Sequence, residues 1–466
     1  MKSILLACLI TVVYTSCAQD RPSQLDSLFN KLYEENDFTG NVLIAENGKP
    51  IFQKSYGQAF REKNIDLNSE TVFELASVSK QFTAMGIMIL KKQGKLSYDD
   101  NLRRFISELP YTNITIRHLL QHTSGLPDYF QFTQPHWDST KIMTNDDIIS
   151  IMEKHHPPVL FAPGEKWEYS NTGYALLASV IERASGKSFQ EFLSENIFKP
   201  LGMNRTRVYR KRFEKSTIDN YAYGYVKNDA GTYVMADSLP ETAAMVYSMD
   251  GVYGDGVVNS TAGDLLKWDQ ALYTDKLVSN AMMAEAFADA ILNNGQTSNY
   301  GFGWLLMNSA EFGRYFFHGG GWPGYSTWLE RHPRDNKTII LLANAGSANK
   351  QLRAIRNIVY GIESKPPVEV RLDEKVLKQY EGSYAFSNGV MLNIRVDEGR
   401  IFGDMGGSNE HQLFAEAVDL LFRKDRDDIR IRMVKDDSGM VTGLEILMDG
   451  PVMAASKSGS GSHIEK

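Results

Sequence analysis

The chain divides at a double proline. In Ile362-Glu363-Ser364-Lys365-Pro366-Pro367-Val368 two consecutive imino acids remove backbone donors and fix φ, so no helix runs through and an extended linker is expected. The hydrophobic patterning differs on its two sides. After it, Val390, Leu392, Ile394 and Val396 alternate with Met391, Asn393 and Arg395, and Ile429, Ile431 and Met433 alternate with Arg430 and Arg432. Such period-two runs, separated by turn signals such as Asp437-Ser438-Gly439, predict a small all-β domain with one wet face. The expected organisation is a signal peptide over 1–18, a large domain over 22–362, a linker over 363–371, the small all-β domain over 372–455 and a tail over 456–466. The tail opens Ser456-Lys457-Ser458-Gly459-Ser460-Gly461-Ser462, a flexible-linker composition expected to be disordered.

Before the break, helical and strand patterns mix. Gly40 to Ile44 and Pro50 to Lys54 read as paired strands around Glu46-Asn47-Gly48, with Asn-Gly as the hairpin signal. Tyr174, Leu177, Ile181 and Ala184 recur at helical spacing up to Gly186, and Ser188-x-x-Glu191 makes a capping box for a helix over Phe189 to Phe198. Thr338 to Leu342 is strand-like. Strands at both ends with helices between suit an antiparallel sheet beside a helical lobe.

Within this part, Ser77-Val78-Ser79-Lys80 stands at the mouth of an apolar helical stretch, Gln81 to Leu90, closed by Lys91, Lys92 and Gly94. Residues three apart share a helix face, so the Lys80 nitrogen reaches the Ser77 hydroxyl. A serine is a poor nucleophile until a neighbour takes its proton, which a partly desolvated lysine can do. The same spacing also suits a surface Ser-Lys pair at a helix start. Further on, Tyr169 and Asn171 lie two apart in Pro163-Gly164-Glu165-Lys166-Trp167-Glu168-Tyr169-Ser170-Asn171, a phenol and an amide able to face one cleft, where a phenol beside a lysine can relay protons to a leaving group. His318-Gly319-Gly320-Gly321 follows the strand-like Arg314-Tyr315-Phe316-Phe317. Glycines in a strand often mark close approach of a ligand, and the Gly321 N–H is expected to form an oxyanion hole with that of Ser77.

Ser77-x-x-Lys80, Tyr169-x-Asn171 and His318-x-Gly320, in that order, resemble the three motifs of the penicillin-recognising serine hydrolases. The flanks Ile114 to Leu126, Asn259 to Leu265 and Tyr300-Gly301-Phe302-Gly303-Trp304 resemble the class C β-lactamase and D-alanyl-D-alanine peptidase branch, over roughly residues 25 to 360. The resemblance implies an α/β fold of the β-lactamase/transpeptidase type, antiparallel sheet plus helical lobe, with the site in the groove between them. It implies Ser77, Lys80 and Tyr169 as catalytic residues and Asn171, His318, Gly320 and Gly321 as substrate-binding ones. Leu377, Tyr380-Glu381-Gly382 and Tyr384 resemble the start of a lipocalin-like barrel, either a structural cap or a ligand-binding module.

His318 departs from the family's usual third motif, which begins with lysine and holds a substrate carboxylate. A histidine there resembles the D-aminopeptidase and esterase members, and predicts weaker binding of a terminal carboxylate unless Arg331 or Arg314 supplies the charge. Glu165 and Glu168 do not match the extra glutamate base of class A enzymes.

Met1-Lys2, an apolar run from Ile4 to Tyr14 and Thr15-Ser16-Cys17-Ala18 read as a secretory leader cleaved after Ala18, too short to span a bilayer. A lipoprotein anchored through Cys17 is the competing reading. Either predicts an exported protein, periplasmic or secreted in the first case and membrane-anchored in the second. Cys8 and Cys17 are the chain's 2 cysteines, so the mature protein carries no disulfide. A net charge of −7 argues against a nucleic-acid partner. No cofactor is expected; His155-His156 next to Pro157-Pro158 and the spaced pair His118 and His122 read as structural rather than as metal ligands, and Gly254-Asp255-Gly256 is too short for a phosphate loop.

Three functional readings follow. In the first, an exported serine hydrolase cleaves an amide or ester of a small-molecule or peptide substrate (a peptide, a D-amino-acid compound or an ester) through a Ser77 acyl-enzyme. In the second, it is a true β-lactamase or D-Ala-D-Ala carboxypeptidase. In the third, it is a penicillin-recognising sensor or binding protein that acylates without turnover, or that uses the β-domain to hold a partner.

Overall fold

A computed structural model describes residues 21–214, 217–363, 367–386, 390–405, 410–424, 426, 429–447 and 453–458. The expected leader, with Cys8 and Cys17, lies outside the described residues, as does the tail from 459 on. Two compact units emerge: one holds Asp26–Leu306 and Arg314–Asn349, the other 21–25, Met307–Gly313 and the chain from Lys350.

The main sheet has six strands: β1 (Phe38–Glu46), β2 (Lys49–Tyr56), β3 (Leu305–Ser309), β4 (Gly313–Trp322), β5 (Tyr325–His332) and β6 (Lys337–Gly346), in the spatial order β3-β4-β5-β6-β1-β2. The β1–β2 hairpin turns at Asn47-Gly48, and β4, β5, β6 and β1 pair antiparallel in succession. Every residue of β1 from Phe38 to Ala45 is buried, as a central strand covered on both faces requires.

Helix α1 (Lys80–Lys92) is buried along its length from Lys80 to Leu90, and packs against α2 (Asn171–Ser185). Helix α3 (Ala262–Ala271) covers β1 and β6, and its Trp268 ties it to α1: the indole N–H donates to Gln81 Oε1 at 2.9 Å, and the ring lies 4.6 Å from Phe82. The capping box of Ser188 and Glu191 forms as expected, but the helix it opens ends at Leu193 and continues through Phe198 as a π-turn.

In the other unit, eight strands from Gly382–Phe386 to Met453–Lys457 close into an antiparallel barrel, the first pairing with the last through Tyr384 and Lys457. Leu392, Ile394, Ile431 and Met433 point into a packed interior with Leu444 and Ile446, while Asn393 and Arg395 are exposed. Val390 differs from its expected strand position: it precedes the strand and is exposed. The final strand also runs through Ser456 and Lys457, residues read as the start of a tail; their backbone is held by Ala385 and Tyr384, and Ser458 N–H donates to Ser383 O.

Candidate active site

Ser77 lies in a 3₁₀ turn, Ala76–Ser79, that leads straight into α1. The turn is clamped from several directions. Leu75 N–H donates to Val258 O at 2.9 Å, Thr327 Oγ1 of β5 donates to Leu75 O at 2.7 Å, and Val258 N–H donates to Ser79 Oγ at 3.0 Å. Ala76 adopts φ 48° and Val257, across the cleft, φ 65°. Neither residue favours that region, least of all a β-branched valine, so the clamps hold local strain beside the candidate nucleophile.

Lys80 is fully buried, and its Nζ reaches Ser77 Oγ at 3.0 Å, Asn171 Oδ1 at 2.8 Å and the Asp255 carbonyl at 3.0 Å. The last two partners only accept, so two N–H bonds are committed to them. The third position on nitrogen faces Ser77. Asn171, the first residue of α2, is turned by Asp128, whose Oδ2 accepts from the Asn171 backbone N–H at 2.7 Å and from its Nδ2 at 3.0 Å. Asp255 comes from the Gly-rich segment read as unsupported for a phosphate loop. Gly254 there has φ 105°, and a Cβ would stand 2.4 Å from Tyr174 O, so only glycine brings the next carbonyl to Lys80.

Tyr169 presents its ring 4.8 Å from Lys80 Nζ, and its hydroxyl has no hydrogen-bond partner among the described residues. His122 lies 4.4 Å from that ring between centroids, and its Nδ1 accepts from Ser170 N–H at 3.1 Å. His118 Nδ1 accepts from Thr115 N–H and caps the short helix Ile116–Leu120. His155 stacks on His136.

His318 is buried in β4. Nδ1–H donates to Gly319 O at 2.7 Å, and Nε2 accepts from Tyr300 OH at 3.0 Å, a tautomer assigned from these partners. Burial first, and the nearby Lys80 charge second, push its pKa down to about 3, so the ring is neutral and both nitrogens are engaged by the protein. The three glycines that follow do different work. Gly319 lies under Trp328, and Gly320 lets β4 approach the nucleophile turn: a Cβ there would stand 2.2 Å from Leu75 O. Gly321 alone faces open space.

The cleft in front of Ser77 is lined by Ser77, Asn171 and Gly321 together with Glu74, Tyr129, Phe130, Asp250, Asp255 and Trp322, among others. Its described lining holds carboxyl groups and no lysine or arginine. Arg331 and Arg314, the arginines weighed as substitutes for the missing lysine, do not line it. Arg331 is buried in an ion pair with Asp269, and Arg314 donates to Phe287 O near Asp289. Asp128, Tyr300, Glu74, Phe130 and Trp322 belong to none of the three motifs, and of these only Tyr300 lies inside one of the flanks that resemble the family.

Residues 25–359 match the Beta-lactamase family. "Penicillin-binding protein 4*" of Bacillus subtilis (strain 168) is 42% identical over 415 residues, covering 87% of this chain and 92% of the relative. Among solved structures, the octameric penicillin-binding protein homologue from Pyrococcus abyssi superposes with TM-score 0.64 at 23% identity, over 93% of this chain and 99% of its own. The D-amino acid amidase from Ochrobactrum anthropi SV3 superposes with TM-score 0.58 at 24% identity, over 74% of this chain and 97% of its own. These last two likenesses concern the fold. Among the described residues no helix is long and apolar enough to cross a membrane. With its three ordered motifs assembled in one cleft and the family match spanning the large domain, the chain belongs to the β-lactamase family and is a serine hydrolase of the β-lactamase and penicillin-binding-protein type.

Proposed function

We propose that the protein hydrolyses an amide or ester through a Ser77 acyl-enzyme, on substrates whose leaving side carries no free carboxylate. The observation that carries this reading is Lys80 Nζ, 3.0 Å from Ser77 Oγ with its other partners both acceptors. In its amine form Lys80 keeps two N–H bonds to Asn171 and Asp255 and turns its lone pair to the Ser77 proton. Ser77 Oγ attacks the carbonyl carbon as Lys80 takes that proton, and the oxyanion is received by the N–H groups of Ser77 and Gly321. Tyr169, with its hydroxyl unspent, passes a proton to the leaving group. Water then attacks the ester, the same groups return the protons, and Ser77 is freed.

The acid-lined cleft and a neutral, fully engaged His318 support the specificity. A carboxylate entering there loses water, and the cleft's described lining offers no lysine or arginine to receive it. The chain's expected leader and the motif set together support an exported enzyme. The test is kcat/KM for a matched pair of substrates, one with a free acid and one with an amide on the leaving side. The amide is expected to be preferred, and His318→Lys to shift the balance toward the acid. A strong free-acid preference in the unaltered protein favours the β-lactamase or carboxypeptidase reading instead.

A further inference from the structure

Tyr169 is held at its base, not at its tip. Its hydroxyl has no hydrogen-bond partner among the described residues, so no such bond at the far end of the ring fixes where the phenol points. The peptide groups on either side of it are both held by His122. Glu168 N–H donates to His122 O at 2.9 Å, and Ser170 N–H donates to His122 Nδ1 at 3.1 Å. The same imidazole lies 4.4 Å from the Tyr169 ring between centroids, tilted by 35°. Earlier in the loop, Gly164 N–H donates to Thr123 O at 2.8 Å, so the approach to Tyr169 is tied to the segment that carries His122.

His122 does this from a conformation that histidine does not favour. Its φ is 56°, in the left-handed region, and it is only 1% exposed. Glycine would relieve that strain, but would lose both the side-chain acceptor and the ring. Because Nδ1 accepts, the hydrogen sits on Nε2, a tautomer assigned from that partner. Accepting there requires a neutral ring. Burial first, with the Lys80 charge and His318 adding to it, holds the His122 pKa well below the ordinary value. The Tyr169, Tyr174 and Tyr300 phenols are the other titratable groups against the ring.

We propose that His122 is a positioning residue for Tyr169: its carbonyl and Nδ1 hold the peptide groups before and after Tyr169, its ring supports the phenol, and the unpartnered hydroxyl is thereby aimed at the leaving group. This rests on the reading of Tyr169 as the proton donor to that group. A general acid contributes only when its proton lies on the path to the leaving atom, and a displacement of about 1 Å can cost about a hundredfold.

The experiment compares kcat/KM for ethyl butyrate and p-nitrophenyl butyrate, which share an acyl group. p-Nitrophenolate departs without a proton, whereas ethoxide must be protonated as it leaves, so the ratio of the two rates reads the proton that Tyr169 delivers. In His122→Ala the ethyl ester is expected to lose about tenfold more than the p-nitrophenyl ester, and Tyr169→Phe to show a skew of the same sense. His122→Asn tolerates a positive φ and offers an amide oxygen in place of Nδ1, and is expected to recover most of the ratio. His122→Phe keeps a ring but has no acceptor, and is expected to recover little; a packing role alone reverses that order. In the Tyr169→Phe background, adding His122→Ala is expected to move the ratio by less than about twofold, because its effect passes through Tyr169. Equal losses on the two esters in His122→Ala, or a full further skew in the double variant, overturn the assignment. If the alanine variant does not fold, the order of the asparagine and phenylalanine variants decides it. A skew in Tyr169→Phe with none in His122→Ala removes His122 alone, and no skew in Tyr169→Phe removes the role of Tyr169 and that of His122 with it.

Discussion

Asp128 Oδ2 accepts both the backbone N–H and the side-chain amide of Asn171, at 2.7 and 3.0 Å, and this fixes which end of the amide faces Lys80. The amide oxygen is thereby left to receive the Lys80 N–H. Asp128→Ala frees the amide to rotate and removes two hydrogen bonds to a charged acceptor, each worth about 1.5–3 kcal/mol. Acylation measured under single turnover is expected to slow by about ten- to a hundredfold, with Asp128→Asn losing less. Unchanged rates in Asp128→Ala mean that Asn171 is oriented by something else.

Gly320 and Gly321 separate close packing from open space. In Gly320→Ala the new methyl meets Leu75 O at 2.2 Å and Thr327 Oγ1 at 2.3 Å, so the strand or the nucleophile turn must shift. A cost of about 1–3 kcal/mol, typical of overpacking, and a fall in kcat are expected. Gly321→Ala meets nothing within 4 Å and is expected to leave Tm almost unchanged. Melting curves of the two variants check this, and equal melting temperatures contradict it.

Tyr169→Phe is expected to lower acylation by about a hundredfold, the scale of general acid–base groups, without lowering Tm, because the hydroxyl it removes has no partner among the described residues. Since Tyr169 and Lys80 act on one proton path, the double variant Tyr169→Phe with Lys80→Ala should lose far less than the product of the single losses. Multiplicative losses argue for independent roles.

His318 gives a pH dependence of stability with a definite sign. Its folded pKa lies near 3, below the ordinary histidine value, so between about pH 6.5 and 3 the unfolded chain binds a proton that the folded protein refuses. Stability from this site is full above about 6.5 and is lost as pH falls; buried His122, also held well down by burial, adds in the same direction. Melting temperatures from pH 7.5 to 4.5 are expected to fall less in His318→Gln than in the unaltered protein. Parallel slopes contradict a neutral His318.

What the sequence carried, and what it did not, follows from how each residue acts. Ser77 and Lys80 were legible because their helical spacing is itself the geometry, and the barrel was legible because Leu392, Ile394, Ile431 and Met433 alternate at period two. The Asp255 contribution was hidden because it is made by a carbonyl, which every residue owns, and Asp128 because it acts on Asn171 from 43 positions away. Arg331 and Arg314 looked like substitutes for the missing lysine by proximity in sequence; only the sheet shows that one is buried against Asp269 and that neither lines the cleft. The glycines after His318 suggested a ligand, whereas Gly320 makes room for the Leu75 carbonyl.

The most direct measurement of the central claim is intact-mass analysis of the unaltered protein and of Ser77→Ala after exposure to a fluorophosphonate. The unaltered protein is expected to gain one adduct, mapped by peptide digestion to Ser77, and the alanine variant, folded by its melting curve, to gain none. An adduct of the same mass on the alanine variant contradicts Ser77 as the nucleophile.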